Sequence, residues 1–470
     1  MQEEVRAVER GATSRAGVLI MGILDTKGDE VRFLRDQVER AGGTPIVMEL
    51  TVSGKAVGWA DIPIGEVAAA AEVGAEQLAG MPREKAADLV TQGAAVIASR
   101  LVKEGKVRAL LGFGGSLGTS ICTRVMQQLP YGVGKFMLST MASGDCRPYV
   151  DVKDIAMWYP LAEKGLNSVT VRILSAAAGA AVGAASAPEP GVATKPLIGY
   201  TMFGTTTPCV EAIRSYFEEK GYDSMVVHAV GSGGRSMEEM CRSGFIVGMA
   251  DVTTHEITDM VCGGVLSAGP SRLTAAGKTG VPQVVSMGGA DMINFGPRET
   301  VTGKRSLVTG RPFEEEEKLY PGRTIYRHNP MVTVIGTLPE EARAVAAAIA
   351  ERLNQSRGPT CLVVPMRGWS AYDIREADLA LGWAGPGPGP FWDGGDPARP
   401  EWSKRSVALV DELKKRIDLE KENLEVLVAD KHINERQFAL FLARVLDDML
   451  SGRWARGLYG DIPWLCPLKD

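Results

Sequence analysis

The sequence lacks paired cysteines and long runs of basic residues. Its seven cysteines stand singly, and no Cys-x-x-Cys pair occurs, which excludes a zinc knuckle or a disulfide framework and predicts reduced thiols. The formal net charge is −5 and no long basic segment occurs, so a nucleic-acid partner is not expected.

The sequence also lacks a long apolar run and a secretory signal. Its most apolar stretch, residues 173–187, is short and rich in alanine and glycine, so it is too weak to span a bilayer. Residues 1–17 carry charges of both signs and contain no apolar core, which argues against a signal peptide. We therefore predict a cytoplasmic protein that binds no membrane.

Glycine, in contrast, is abundant, with 55 residues among 470, which indicates many tight turns between strands and helices. Residues 17–50 show a strand, a polar turn, a helix, a glycine and a strand, the pattern of a βαβ unit. The pattern restarts near residue 196, after a Pro/Gly segment at 188–196 that we interpret as a domain boundary. The sequence thus predicts two similar α/β halves with parallel sheets and a cleft between them. The predicted bounds are 1–190, 191–450 and, for a C-terminal tail, 451–470.

The segment "GFGGSLGTS", residues 112–120, admits several interpretations. A dinucleotide fingerprint needs glycine where Leu117 stands and an acidic residue about 20 positions later, and none occurs before Gly144. A Walker A loop fails because the segment has no lysine. A nucleophile elbow, Gly-x-Ser-x-Gly, fits Ser116, but no His-Gly-Gly oxyanion segment accompanies it. A phosphate turn at a helix N-terminus needs only backbone amides, small residues and hydroxyls, and we favour it.

Two further strand ends carry groups that suit a nucleotide. "DTKG" offers Asp25 for a ribose or a metal, Thr26 for a hydroxyl contact and Lys27 for negative charge. "STMASGD" offers Ser143 and Gly144. Because parallel strands end at one edge of their sheet, the three turns are expected to converge there. The sequence therefore favours nucleotide binding by the first half.

The second half collects polar side chains after its apolar runs, where open α/β sheets place their sites. A histidine beside an arginine suits acid–base catalysis, and arginine suits a carboxylate or phosphate. The predicted catalytic residues are Arg272, Asp291, His328 and His432. The predicted substrate-binding residues are Asn294, Asn329, Arg367, Ser370 and Asn434.

The segment "DVTTHEITD" would place Asp251, His255 and Asp259 on one face if it were helical. A metal site is one interpretation, although the zinc-protease pattern requires histidine at position 259. A turn with solvated charges is the other, and the identity of any metal is left open.

Several longer motifs resemble a family of bacterial and fungal proteins that includes the ATP-binding domain of the tomato mosaic virus resistance protein. The first-half motifs are "GILDTKGDEV", "GFGGSLGTS", "STMASGDCRPYV" and "DIAMWYP". The second-half motifs include "GYTMFGTTTPCV", "RHNP", "VPMRGWSAYD", "FWD" and "DKHIN". The resemblance covers about residues 17–450 in the same order, and the chain ends before the aldolase-like barrel of the plant relatives.

The resemblance implies two Rossmann-like subdomains, ATP bound by the first, with or without Mg²⁺, and a homodimer or higher homo-oligomer. It assigns ATP to Asp25, Thr26, Lys27, Gly114, Gly115, Ser116, Gly118, Thr119, Ser143 and Gly144.

Three functions follow as hypotheses. The first is an ATP-binding α/β enzyme that acts on a small polar or carboxylated metabolite. The second is a hydrolase or carbon–carbon lyase that needs no nucleotide and uses the second-half His/Asn/Arg/Asp set. The third is a non-catalytic protein that senses nucleotide and binds a partner.

Overall fold

A computed structural model describes residues 17–188, 191–192 and 194–469. The chain divides into two compact units between Gly191 and Val192, within the segment predicted as the boundary. The N-terminal segment predicted not to be a signal peptide lies, up to residue 16, outside the described residues. No helix in the described part of the chain is long and apolar enough to cross a membrane.

The first unit contains a five-stranded sheet with the order β2-β1-β3-β4-β5, in which every neighbouring pair is parallel. β1 lies between β2 and β3, and all six of its residues are buried. The strands are β1 (Gly17–Gly22), β2 (Thr44–Glu49), β3 (Ala109–Gly114), β4 (Gly134–Ser139) and β5 (Ala156–Trp158).

Helices cover both faces of this sheet because successive side chains of a strand point to opposite sides. Leu19 and Met21 of β1 pack with the 83–103 and 116–127 helices, whereas Val18 and Ile20 pack with the 24–40 and 170–186 helices. The helices are Leu24–Arg40, Ile64–Ala70, Ala75–Ala79, Arg83–Lys103, Ser116–Gln127, Arg147–Val150 and Thr170–Ser186, with a 3₁₀ turn at Thr140–Ser143.

The second unit contains a seven-stranded sheet with the order β15-β14-β13-β9-β8-β6-β7. Six strands are parallel, and β15 joins β14 antiparallel at one edge. A separate three-stranded antiparallel sheet has the order β10-β12-β11. The strands are β6 (Leu197–Met202), β7 (Asp223–His228), β8 (Ile246–Thr253), β9 (Gln283–Gly288), β10 (Met292–Phe295), β11 (Ile325–Asn329), β12 (Val332–Gly336), β13 (Thr360–Pro365), β14 (Leu424–Ala429) and β15 (Leu465–Pro467).

Two cores sandwich the larger sheet. One lies against helices 207–219 and 436–450, and the other against helices 339–353 and 404–416. The helices are Thr207–Glu219, Ser232–Arg242, His255–Cys262, Ala275–Thr279, Phe313–Glu316, Pro339–Leu353, Lys404–Arg416 and Arg436–Leu450. Three 3₁₀ segments lie at Gly204–Thr206, Arg298–Val301 and Glu376–Leu381.

The predicted α/β class with parallel sheets is confirmed, and two local expectations are corrected. "DTKG" is not a free turn, because Thr26 and Lys27 donate their amides to the Ile23 carbonyl at 3.2 and 2.9 Å and begin the 24–40 helix. "DVTTHEITD" is not one helix, because Asp251 lies in strand β8 and the helix begins at His255. The predicted cleft between the halves stays a prediction.

Candidate functional site

A cavity of about 470 Å³ lies in the first unit beside the carboxyl ends of β1 and β3. The chain passes from β1 to β2 on one side of β1 and then to β3 on the other side. The strand order of the sheet therefore reverses at this cavity. Open parallel sheets bind ligands in the crevice at such a point. The lining residues are Ile23, Thr26, Lys27, Arg83, Gly114, Gly115, Ser116, Leu117, Gly118, Glu163 and Lys164.

Lys27 brings a buried positive charge to this cavity. Its backbone leaves helical geometry at φ −125° and ψ 18°, inside the 24–40 helix. Its side chain is only 9% exposed, and Nζ lies 3.8 Å from Oε1 of Glu163. Nζ also donates to the Glu163 carbonyl oxygen. Because the Lys27 side chain is already largely removed from bulk water, it needs little further desolvation when it binds an anion.

The glycine turn after β3 aims a helix N-terminus at the same cavity. The 116–127 helix begins at Ser116, and its first recorded backbone bond runs from the Thr119 amide to the Gly115 carbonyl at 2.9 Å. The amides of residues 116–118 precede that bond and are the donors that a helix leaves open. Gly114 is required for the turn, because a Cβ there would lie 2.9 Å from Cα of Gly118.

The turns after β3 and β4 are joined by two hydroxyls. Thr119 Oγ1 lies 2.6 Å from Ser139 Oγ, and it also donates to the Gly115 carbonyl at 2.8 Å. Ser139 Oγ accepts the Met141 amide at 2.9 Å. Thr119 is fully buried and therefore braces the turn rather than facing the cavity.

The structure brings together most of the residues predicted to bind ATP. Thr26, Lys27, Gly114, Gly115, Ser116 and Gly118 line the cavity. Asp25, Ser143 and Gly144 are exposed but are not part of that lining. Sequence reasoning missed Arg83, Glu163 and Lys164, which come from the start of the 83–103 helix and from the loop after β5.

A second cavity, of about 550 Å³, lies in the second unit; we call it the His328 cavity. One wall comes from the ends of β6 and β7, and another from the β11–β12 hairpin. The lining residues are Phe203, Gly204, Thr205, His228, Val230, Leu266, His328, Asn329, Val332, Val334, Ala371, Tyr372 and Gly382.

His328 owes its position to a β-bulge. The pairing of β11 with β12 shifts between Arg327 and Asn329, which leaves His328 as the extra residue. Bulges re-aim a side chain and are frequent beside functional sites. Nδ1 of His328 lies 2.7 Å from the Tyr372 hydroxyl, and burial raises the pKa of that hydroxyl to about 12. The histidine is exposed.

Phe203 separates an exposed histidine from a buried one. Its ring stacks on His228 at 5.3 Å between centroids and contacts His255 at 4.5 Å. His255 is fully buried, which lowers its pKa to about 4, and Nδ1 lies 3.2 Å from Asn294 Nδ2. Asp259 accepts the Asn294 amide at 2.8 Å, and burial raises its pKa to about 7.

Asp251, His255 and Asp259 are therefore neither on one helical face nor solvated, since each is at most 1% exposed. Within the described residues, no group of three or more His, Cys, Asp or Glu side chains could hold a metal ion.

A buried chain of hydrogen bonds links four predicted site residues. Ser370 Oγ donates to Asp291 Oδ2 at 2.6 Å, and Nε2 of His432 lies 3.1 Å from the Ser370 carbonyl oxygen. Nδ1 of His432 accepts the Asn434 amide at 3.1 Å, which places the ring proton on Nε2. Burial lowers the pKa of His432 to about 4 and raises that of Asp291 to about 6. These groups lie behind the lining of the His328 cavity rather than in it.

Arg272 belongs to a separate ion cluster. Its guanidinium contacts Asp251 at 2.5 and 2.6 Å and Glu256 at 2.7 Å, and all three side chains are fully buried. Glu256 in turn accepts the Gly231 and Gly234 amides at 2.6 and 3.0 Å. The carboxylates that pair with this arginine, Asp251, Glu256 and Glu238, are themselves buried, so its charge is neutralised within the fold.

The other predicted substrate residues are dispersed. Arg367 pairs with Asp430 at 2.8 Å, and Asn434 donates to the Thr205 carbonyl at 3.0 Å. Asn294 lies beside His255, whereas Asn329 lines the His328 cavity together with His328 itself. Sequence reasoning missed Phe203, Thr205, His228 and Tyr372, although "MFGTTT" and "VVHAV" follow strand patterns and could have indicated the first three.

Comparisons with known proteins agree with the motifs. Residues 16–190 match the N-terminal domain of an uncharacterised protein family (UPF0261), and residues 195–381 match its C-terminal domain. A UPF0261 protein of Clostridium tetani is 38% identical over 92% of this chain and 99% of its own length. One of Rhizobium meliloti is 41% identical over 77% of this chain and 89% of its own length.

The ToMV resistance protein Tm-1(GCR237) of Solanum lycopersicum is 32% identical over 90% of this chain. That match spans 54% of the tomato protein, so the chain covers about half of that relative's length. Since both domains match in order along the chain, the protein belongs to the UPF0261 family.

Proposed function

We propose that the protein binds ATP through the first-unit cavity and is an enzyme whose second unit acts on a small polar or carboxylated metabolite. The observation that carries the first part is the meeting of buried Lys27 with the open N-terminus of the 116–127 helix in one cavity. Whether Mg²⁺ accompanies the nucleotide stays a prediction.

The cavity suits a phosphate chain on physical grounds. Helix N-terminal amides and the helix dipole attract anions, and glycine lets a phosphate approach the backbone closely. Lys27, Arg83 and Lys164 add three cationic side chains to the lining. Support for ATP over another phosphorylated molecule comes from the first-half motifs, whose resemblance implies that nucleotide.

Calorimetric titration with ATP tests this proposal. Lys27→Gln should weaken ATP binding at least tenfold, because a charge-assisted bond to phosphate contributes about 1.5–3 kcal/mol. Lys103→Gln is the matched control, since Lys103 is exposed and is the last residue of the 83–103 helix. It should bind ATP like the unaltered protein. Absence of ATP heat at millimolar nucleotide in the unaltered protein would sink the proposal.

Ser116→Ala separates the phosphate hypothesis from the serine-hydrolase hypothesis. Ser116 is exposed at the first position of its helix, and within the described residues its hydroxyl makes no hydrogen bond to a side chain that could act as a base. Loss of one hydroxyl contact should weaken ATP binding about three- to tenfold. A covalent acyl adduct at Ser116 would favour the hydrolase instead.

A further inference from the structure

We propose that the His328 cavity binds a neutral carbonyl compound with an apolar body, and that His328 donates a hydrogen bond to its carbonyl oxygen. This inference rests on the proposed function, in which the second unit holds the substrate, and it selects the uncharged alternative for that substrate over the carboxylated one. The residues that carry it are His328, Tyr372, Thr205 and Asn329.

His328 presents a donor because of Tyr372. The half-buried phenol of Tyr372 keeps its proton at neutral pH, since partial burial raises its pKa to about 12. It can therefore donate to Nδ1 of His328, 2.7 Å away. A neutral imidazole that accepts at Nδ1 carries its proton on Nε2, so Nε2–H is the donor left for a ligand. Tyr372 is thus a positioning residue that acts through His328.

Two further groups in the lining can donate. Thr205 is 8% exposed, and its Oγ1 is buried without a hydrogen-bond partner among the described residues. Asn329 uses Oδ1 to accept the Met331 amide at 2.8 Å, which leaves its amide nitrogen as a donor. A carbonyl oxygen has lone pairs and no proton, so it complements a set of donors better than an alcohol or amine does.

The remainder of the lining favours an uncharged, apolar body. Val230, Leu266, Val332 and Val334 supply aliphatic surface, and the stacked rings of Phe203 and His228 supply a flat one. Within the described residues, the lining contains no lysine, arginine or carboxylate. An ionised ligand would therefore lose water without gaining a counter-ion, which costs free energy.

The test uses 4-phenylbutan-2-one labelled with ¹³C at the carbonyl, added to the full chain and followed by NMR. A hydrogen bond to the oxygen should move the bound carbonyl resonance downfield from its position in water-free solvent. Tyr372→Phe keeps the ring but removes the hydroxyl, so the resonance should move back upfield and binding should weaken about threefold or more. His328→Ala should also move the resonance upfield and weaken binding. Because His328 is exposed, its replacement should not unfold the protein. Tyr222→Phe, in the same unit but outside the lining, is the matched control.

Specific outcomes overturn the inference. An unchanged carbonyl resonance in both Tyr372→Phe and His328→Ala would exclude the donor. Tighter binding of the matched carboxylate, 4-phenylbutanoate, would exclude the neutral class. If the protein binds ATP but not the ketone, this inference fails while the nucleotide part of the proposed function stands. If it binds the ketone but not ATP, this inference stands while the nucleotide part of the proposed function fails.

Discussion

Arg272 shows that a charged side chain after a strand can serve the fold instead of a substrate. It is fully buried among Asp251, Glu256 and Glu238, so its removal leaves three buried carboxylates without this counter-ion. We expect Arg272→Met to destabilise the second unit by about 3–5 kcal/mol, the usual cost of breaking a buried ion pair. Urea unfolding should show the change as a lower midpoint.

The matched control at this scale is Arg367→Met. Its ion pair with Asp430 is 29% and 33% exposed, and solvent screens it, so the loss should be about 1 kcal/mol or less. An Arg272→Met protein as stable as the unaltered one would contradict the structural role and return Arg272 to the catalytic candidates.

Arg272 and His328 together show how far the role of a single residue can be predicted from sequence. "PSR" and "RHNP" both place a polar residue in a turn-rich segment, and both were predicted to be catalytic. Burial separates them, because Arg272 is 0% exposed whereas His328 lines a cavity. The partners that cause this, Asp251 and Tyr372, lie 21 and 44 positions away in sequence, and no local pattern reports such contacts.

At the scale of elements, the loop between β5 and the 170–186 helix contributes Glu163 and Lys164 to the lining of the first-unit cavity. Glu163 Oε1 in that loop lies 3.1 Å from where a Cβ on Gly115 would stand, and 3.8 Å from Lys27 Nζ. A carboxylate there occupies the position that favours an anion at a helix N-terminus. It should therefore compete with a phosphate.

We expect Glu163→Gln to bind inorganic phosphate and ATP about two- to fivefold more tightly. The gain should be modest, because the Glu163 side chain is 71% exposed and solvent screens its charge. Calorimetry measures it, and Glu39→Gln, an exposed change on the 24–40 helix, is the control. Weaker binding of ATP by Glu163→Gln would refute competition and point to a role in holding the nucleotide.

Elements were predicted better than the residues they position. Periodicity placed β1, the 24–40 helix and β2 because apolar runs and glycine stops are local signals. The helical turn at residues 24–27 was not predicted, since the polar segment "DTKG" carries no apolar periodicity. The loop carrying Glu163 was also not predicted, because no pattern in "WYPLAEKGLN" ties it to a glycine turn some 45 positions earlier.

At the scale of the whole molecule, each unit has its own hydrophobic cores. Those of the first unit draw on residues between Val18 and Ala185, and the principal cores of the second on residues between Ile198 and Leu468. Among the described residues, each sheet also stays within one unit, since its strands all belong to β1–β5 or all belong to β6–β15. A chain segment that buries its own core and pairs its own strands can fold without the rest.

We therefore expect residues 1–191 and 192–470 to fold when they are expressed separately. The division falls between Gly191 and Val192, and Val192 is 73% exposed, so the cut is made at an exposed point of the chain. Each fragment should unfold cooperatively on heating. ATP should raise the unfolding temperature of 1–191 alone, because a ligand stabilises only the fragment that binds it. A soluble, folded 1–191 fragment that ATP does not stabilise, beside a 192–470 fragment that it does, would move the nucleotide site to the second unit.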